Sequence, residues 1–185
     1  DEIGSTLSSI AMYSTFAKQK PAEVPHILEE ISNSSQEMID DMNDIIWTIN
    51  PLNDSFKKII ERLRNYSSGM AQTKNIMLHF DSDDELYDIA LSMEHRKNIF
   101  LICKEAINNA VKYSDCKNLY IKIEKKQKTL FAAISDDGKG FETTKNSEGN
   151  GLKNMRKRAA DMKAKISIRS KNNFGTKINL EVKIV

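Results

Sequence analysis

The 185-residue chain predicts an α+β protein in two parts: an antiparallel helical hairpin over residues 1–53, then an α/β sandwich over residues 54–185. Three observations predict it. Apolar residues in the first fifty positions recur in alternating steps of four and three, the spacing of a helical seam. Beyond Pro51, helix-spaced stretches alternate with short β-rich runs, the pattern of a sheet covered by helices. Charge divides at the same place. Residues 1–50 hold two basic side chains, Lys18 and Lys20, against nine acidic ones, a net of −7; the remainder holds 26 basic and 17 acidic, a net of +9.

In the first helix the apolar positions are Ile3, Leu7, Ile10 and Ala17, with Ser14 filling the gap. Lys20-Pro21 interrupts the stripe, and Pro25 stands where a first helical turn tolerates proline. The second stripe runs Val24, Leu28, Ile31, Ser35, Met38, Met42, Ile45 and Ile49. A short connection makes the two helices antiparallel. Ile27, Ile39, Ile46 and Trp47 widen the apolar face beyond a two-helix seam, so a second copy is expected to complete a four-helix bundle; the alternative is burial against the chain's own second part. Pro51 ends the helix, and residues 50–54 are the expected hinge.

In the second part Asp54 or Ser55 can cap a helix carrying Phe56, Ile59, Ile60, Leu63 and Met70. Residues 76–80 read as a strand, and Ser92 can cap a longer helix to about Tyr113. Two strands, 119–124 and 129–135, flank a polar turn; a helix from about Leu152 to Met162 follows a glycine-punctuated loop. Strands 165–170 and 176–185 flank a turn at 172–175. One mixed sheet with helices on one face is the expected result.

Composition narrows function. With 39% hydrophobic residues the chain is not disordered, and its overall charge of +2 is too balanced for a general polyanion binder, so no direct nucleic-acid binding is expected. No apolar run approaches the roughly 18–20 residues of a membrane span. Cys103 and Cys116 imply neither a disulfide framework nor a zinc ribbon, and His26, His79 and His95 are scattered. Asp81-Ser82-Asp83-Asp84-Glu85 lacks glycine at the sixth place of a calcium loop, Leu86, and reads as a polar loop. The chain begins at Asp1 with no signal peptide and reads as a cytosolic-type fragment of something longer.

Three segments can carry chemistry. On the helix 92–113, Asn98, Glu105, Asn109 and Lys112 share an arc by the 100° rule. A carboxylate, an amide oxygen and an ammonium there suit a Mg²⁺–polyphosphate; the alternative is a solvated face. Asp136-Asp137-Gly138-Lys139-Gly140 follows an apolar strand, where glycines allow close approach and a fixed carboxylate can accept from an exocyclic amine such as that of adenine; the alternative is a plain turn. Gly149-Asn150-Gly151-Leu152 opens a helix whose free N–H groups make an anion site, although helices are also entered through glycine without a ligand. Gly175-Thr176 adds a backbone N–H and a hydroxyl, or is simply a hairpin turn.

In this order the segments resemble the gyrase/Hsp90/histidine-kinase/MutL (GHKL, or Bergerat) ATPase superfamily. Residues 105–114, Glu-Ala-Ile-Asn-Asn-Ala-Val-Lys-Tyr-Ser, resemble its N box, 136–140 its D-x-G-x-G box, and 149–152 its second glycine box. Asp1-Glu2-Ile3-Gly4-Ser5 resembles the residues after the phosphoacceptor histidine of H-D-E-x-G sensor kinases, the NarX/DesK-like subfamily, and 44–54 the end of that subfamily's second dimerisation helix. The resemblance covers essentially the whole chain.

It implies the following. ATP and Mg²⁺ are the cofactors. Asp136 holds the adenine amine while Gly138 and Gly140 shape the pocket wall. Asn109 ligates Mg²⁺, and Glu105 polarises the reaction or assists the metal. Lys112 touches phosphate, Gly149, Gly151 and Thr176 line the phosphate side, and 142–148 is an ATP lid. Asp1 is the base beside a histidine that immediately precedes it, so the fragment binds ATP without carrying its own phosphoacceptor. The protein is then the homodimeric kinase core of a two-component sensor, passing phosphate through histidine to the aspartate of a response-regulator receiver domain. A sensor region lies upstream, and the full protein is membrane-anchored with this part cytoplasmic. Ser5 stands where many relatives carry a glutamine for phosphatase action, and Tyr113 where many carry histidine. The rivals are an ATPase of the same superfamily that drives conformational closure, and a non-catalytic dimerising signal coupler.

Overall fold

The structure is a computed structural model that describes residues 2–19, 23–50, 55–87, 89–142 and 149–184. The chain divides into two compact units, Asp1–Asn50 and Pro51–Val185. No helix among the described residues is long and apolar enough to cross a membrane.

In the first unit α1 (Glu2–Gln19) packs along α2 (Val24–Ile49), with Pro25 in the opening turn of α2, where its missing N–H forfeits no helical bond. Each expected stripe is divided. Thr6, Ile10, Tyr13 and Ala17 of α1 are partly covered, whereas Leu7, Met12 and Phe16 are exposed. On α2 Ile27 is buried and Ile31, Ser34, Met38 and Ile45 are partly covered, whereas Leu28, Ile39, Met42 and Ile46 are exposed. Contact between two cylinders covers one narrow line, so the rest of each wide apolar arc faces outward. Asn50 is extended after the helix, and Pro51–Asp54 of the expected hinge lie outside the described residues.

The second unit is mixed α/β. Its elements are α3 (Phe56–Thr73), β1 (Met77–Ser82), α4 (Met93–Tyr113), β2 (Asn118–Lys126), β3 (Thr129–Asp136), α5 (Asn150–Asp161), β4 (Lys165–Ser170) and β5 (Thr176–Lys183). The five strands form one sheet in the order β1-β2-β3-β5-β4, with β1 and β2 parallel and the other pairs antiparallel. Register puts the apolar residues on one face: Ile121 lies opposite Ile134, and Ala132 opposite Leu180. Those residues, with Leu119, Ile123, Leu130, Ile178 and Val182, are buried, while Tyr120 on the alternate face is exposed. Central α4 packs against α3 and α5, and α3, α4 and α5 contact β1, β3 and β4 respectively.

Among the boundaries that differ from expectation, two have a clear physical setting. β1 starts at Met77 and continues through Asp81 and Ser82, because both pair in register with Lys122 and Ile123 of β2 and Arg64 of α3 donates to Phe80 O and Ser82 Oγ. The rest of the acidic loop folds as a 3₁₀ turn, Asp84–Leu86, that buries Leu86 completely. The helix expected from Leu152 begins at Asn150, so Gly151 lies inside its first turn.

Caps follow the serines. Ser55 accepts from Lys58 N, and Ser92 Oγ accepts from His95 N at 3.2 Å. Since α4 is the core of the unit, Ser92→Ala is expected to cost about 1 kcal/mol, measured as a lower urea midpoint with an unchanged slope.

Candidate functional site

Residues four apart on α4 present Glu105 and Asn109, and then Asn109 and Tyr113, along one side of the helix. Facing them are Ile134 and Asp136 at the end of β3, Thr176 and Ile178 at the start of β5, and Gly149–Leu152 at the start of α5. Together with Ala106, Ala110, Ser114, Gly140, Phe141 and Glu142 they enclose a cavity of about 650 Å³, a size that suits a small-molecule ligand.

One end of the cavity is built around Asp136. It is the last residue of β3 and pairs with Thr176. Its Oδ1 accepts from Gly138 N at 3.0 Å. Burial pushes the carboxyl above its ordinary value; the N–H groups of Gly138 and Thr176 and the Ser114 hydroxyl pull it down, and the adjacent Asp137 charge reinforces the rise. The loop that follows has no room for side chains. A Cβ on Gly138 would strike the Ser114 carbonyl, and Gly140, at φ +59°, carries the chain past the carbonyls of Lys171 and Gly175. Backbone bonds hold the loop from both sides: Lys139 N donates to Ser114 O at 2.7 Å, and Asn173 N donates to Lys139 O at 2.6 Å.

At the other end Asn109 Nδ2 donates to Glu105 Oε1 at 3.1 Å, which leaves the amide oxygen of Asn109 as its acceptor group. The first turn of α5 closes on this pair, and a Cβ on Gly151 would collide with the Glu105 carboxylate. Gly149 is the N-cap of α5 and offers no side-chain cap, so the first-turn N–H groups are available to an anion. The donor set fits Mg²⁺, which takes one or two protein oxygens and draws the rest from phosphate and water.

Of the residues singled out in the sequence, the structure brings Glu105, Asn109, Asp136, Gly140, Gly149, Gly151 and Thr176 into one cavity lining. Gly138 is buried behind the wall against Ser114. Lys112 is exposed on α4 and does not line the cavity, because the opening lies on the Ala106, Ala110 and Tyr113 side of Asn109. Asn98, placed on the same polar arc, is buried. Asp1 and residues 143–148 of the expected lid lie outside the described residues. Sequence reading missed Ser114, Ile134, Phe141 and Ile178 as lining groups. Ile134 and Ile178 were visible as inward positions of alternating strands. Ser114 had a subtler signal, a serine at a helix end: it is buried as the C-cap of α4 and donates to Ala110 O at 2.6 Å.

Residues 94–185 match the family described as histidine kinase-, DNA gyrase B-, and HSP90-like ATPases, and that stretch holds every residue that lines the cavity. Two curated relatives narrow the comparison. The chain is 34% identical over 87 residues to the signal transduction histidine-protein kinase/phosphatase DegS of Brevibacillus brevis, covering 46% of this chain and 22% of DegS. It is 26% identical over an alignment of 187 residues to the sensor protein VraS of Staphylococcus haemolyticus, covering 98% of this chain and 52% of VraS. The chain thus spans about half the length of VraS and less of DegS. Among solved structures, the Acinetobacter baumannii histidine kinase AdeS superposes with a TM-score of 0.65 at 17% identity, over 99% of this chain and 97% of that one, a likeness of fold.

Proposed function

We propose that the chain is the kinase core of a two-component sensor histidine kinase, which binds Mg-ATP in the second unit and transfers the γ-phosphoryl group to a histidine. The observation that carries this reading is the convergence of Asp136, the Glu105–Asn109 pair and the N-terminus of α5, three segments distant in sequence, on one cavity.

In this reading Asp136 accepts from the adenine amine, and Ile134, Ile178, Phe141 and Tyr113 supply apolar surface around the base. Asn109 offers its amide oxygen to Mg²⁺, and Glu105 fixes which end of that amide faces the metal. Bound metal supplies neutralisation of phosphate charge. Gly149, Gly151 and the first-turn N–H groups of α5 hold the phosphates, with Thr176 beside them. Asp1 orients a histidine that precedes it and takes up its proton. Catalysis rests on positioning and electrostatics, since the protein has little covalent chemistry to perform.

The first unit serves as the dimerisation and phosphotransfer hairpin. Exposed Leu7, Met12, Phe16, Leu28, Ile39, Met42 and Ile46 support a second copy completing a four-helix bundle. Its acidic surface is where a receiver domain docks before phosphate passes to an aspartate, and the upstream part of the protein carries the sensor and a membrane anchor.

Full-length protein incubated with γ-labelled ATP is expected to acquire a label that survives base and is lost in acid, as phosphohistidine does. Chase with a receiver domain should remove it. ATP turnover with no protein-bound label would overturn the kinase reading and favour a conformational ATPase; absence of Mg-ATP binding at millimolar concentration would leave only a dimerising scaffold.

A further inference from the structure

Asp137, beside the adenine-binding residue, does not line the cavity, yet its carboxylate is fully engaged. Oδ1 accepts from Lys117 N and Asn118 N, both at 2.8 Å, and Oδ2 accepts from Asn118 Nδ2 at 2.7 Å. In return Asp137 N donates to Asn118 O at 3.4 Å. The Asn118 amide oxygen, left free by that bond, meets His79 Nε2 at 3.2 Å. These contacts tie the loop after β3 to the start of β2.

The tie matters because of what spans it. Asp136 Oδ1 is oriented by the N–H of Gly138, two residues on, so Asp137 is the central residue of the turn that aims the Asp136 carboxylate. Rotating the peptides on either side of Asp137 moves both the carboxylate and the N–H that holds it. We infer that Asp137 and Asn118 form a carboxylate–amide pair that positions Asp136 for the exocyclic amine of the base; this rests on the reading of Asp136 as the adenine acceptor. Asp137 is a positioning residue that touches no ligand itself, and the chemical class it selects for is a 6-aminopurine nucleotide.

The test compares ATP with purine riboside 5′-triphosphate, which lacks the exocyclic amine, by titration calorimetry on the wild-type chain and on variants. In Asp137→Asn the charge that gathers the Lys117 and Asn118 N–H groups is lost, and the Asn118 amide must turn over to accept from the new NH₂. Its ATP affinity is expected to fall about tenfold, with purine riboside triphosphate changing less than about twofold. The exchange D137N/N118D keeps both backbone N–H bonds to residue 137, reverses the bond between the two side chains, and is expected to recover ATP preference to within about threefold of wild type. Equal losses for both nucleotides in Asp137→Asn, or no loss, would overturn the inference, as would failure of the exchange variant to recover. If Asp137→Asn alone does not fold, the exchange variant decides by the same preference. A wild-type chain that binds both nucleotides equally overturns the reading of Asp136 as well, whereas a wild-type preference that survives in Asp137→Asn overturns this inference alone.

Discussion

Asp136→Asn is expected to weaken ATP binding roughly 10- to 100-fold, the worth of a hydrogen bond to a charged group. The carboxylate accepts from Gly138 N, with the N–H of Thr176 as a further donor beside it. An amide there must turn its NH₂ either toward those protein donors or toward the base amine, and each choice sets donor against donor in a half-buried place. The pH profile carries a sign. Burial raises the Asp136 pKa, so the ionised acceptor exists above that raised value and is lost as pH falls through it, at a higher pH than for an ordinary aspartate. The ratio of ATP affinity to that of a nucleotide lacking the amine should therefore fall on acidification in the wild type and stay flat in Asp136→Asn. Taking the ratio cancels the titration of the phosphates. A flat wild-type ratio would place the amine elsewhere.

Gly140→Ala is expected to destabilise the second unit by about 3 kcal/mol and to abolish nucleotide binding in the fraction that folds. Two costs add. At φ +59° an L-residue is disfavoured by about 1 kcal/mol. A Cβ would also run into the carbonyls of Lys171 and Gly175, which are backbone and cannot swing aside. Relief requires the β4–β5 hairpin to move away, and that hairpin carries the Asn173 N–H bonded to Lys139 O and leads into Thr176. A drop of roughly 10 °C in the thermal midpoint is the measurement; an unchanged midpoint would show that the hairpin yields freely.

Much of the second unit was legible because its cues are local. Ser55 and Ser92 cap the helices they precede, and alternation along residues 129–135 and 165–170 marks strands that pairing then places on either side of β5. The departures have distant causes. Asp81 and Ser82 join β1 only because β2 supplies partners. Gly151 reads as loop by propensity, yet it lies inside the first turn of α5, where a Cβ would meet the Glu105 carboxylate. In the candidate site, spacing on α4 correctly grouped Glu105 with Asn109, but Lys112 lies about 60° round the helix from Asn109 on the side away from the opening. Which flank of a polar arc meets a cavity depends on where β3, β5 and α5 arrive, and no short stretch encodes that. The first unit shows the same limit: periodicity reports that a face is apolar, while the division between Ile27 and Leu28 depends on which line meets the neighbouring helix.

The unequal construction of the cavity's two ends bears on inhibitor chemistry. At Asp136 the loop that follows β3 is backbone bonded to the end of α4 on one side and the β4–β5 hairpin on the other, with glycines where side chains would otherwise adapt. A small flat heterocycle with a donor aimed at that carboxylate meets a receptor already in shape and forfeits little of its intrinsic affinity to reorganisation. Extensions toward Glu105 and Gly151 meet an entirely different lining, polar and charged, so potency gained there comes with a dependence on salt and divalent ions that the heterocyclic fragment escapes.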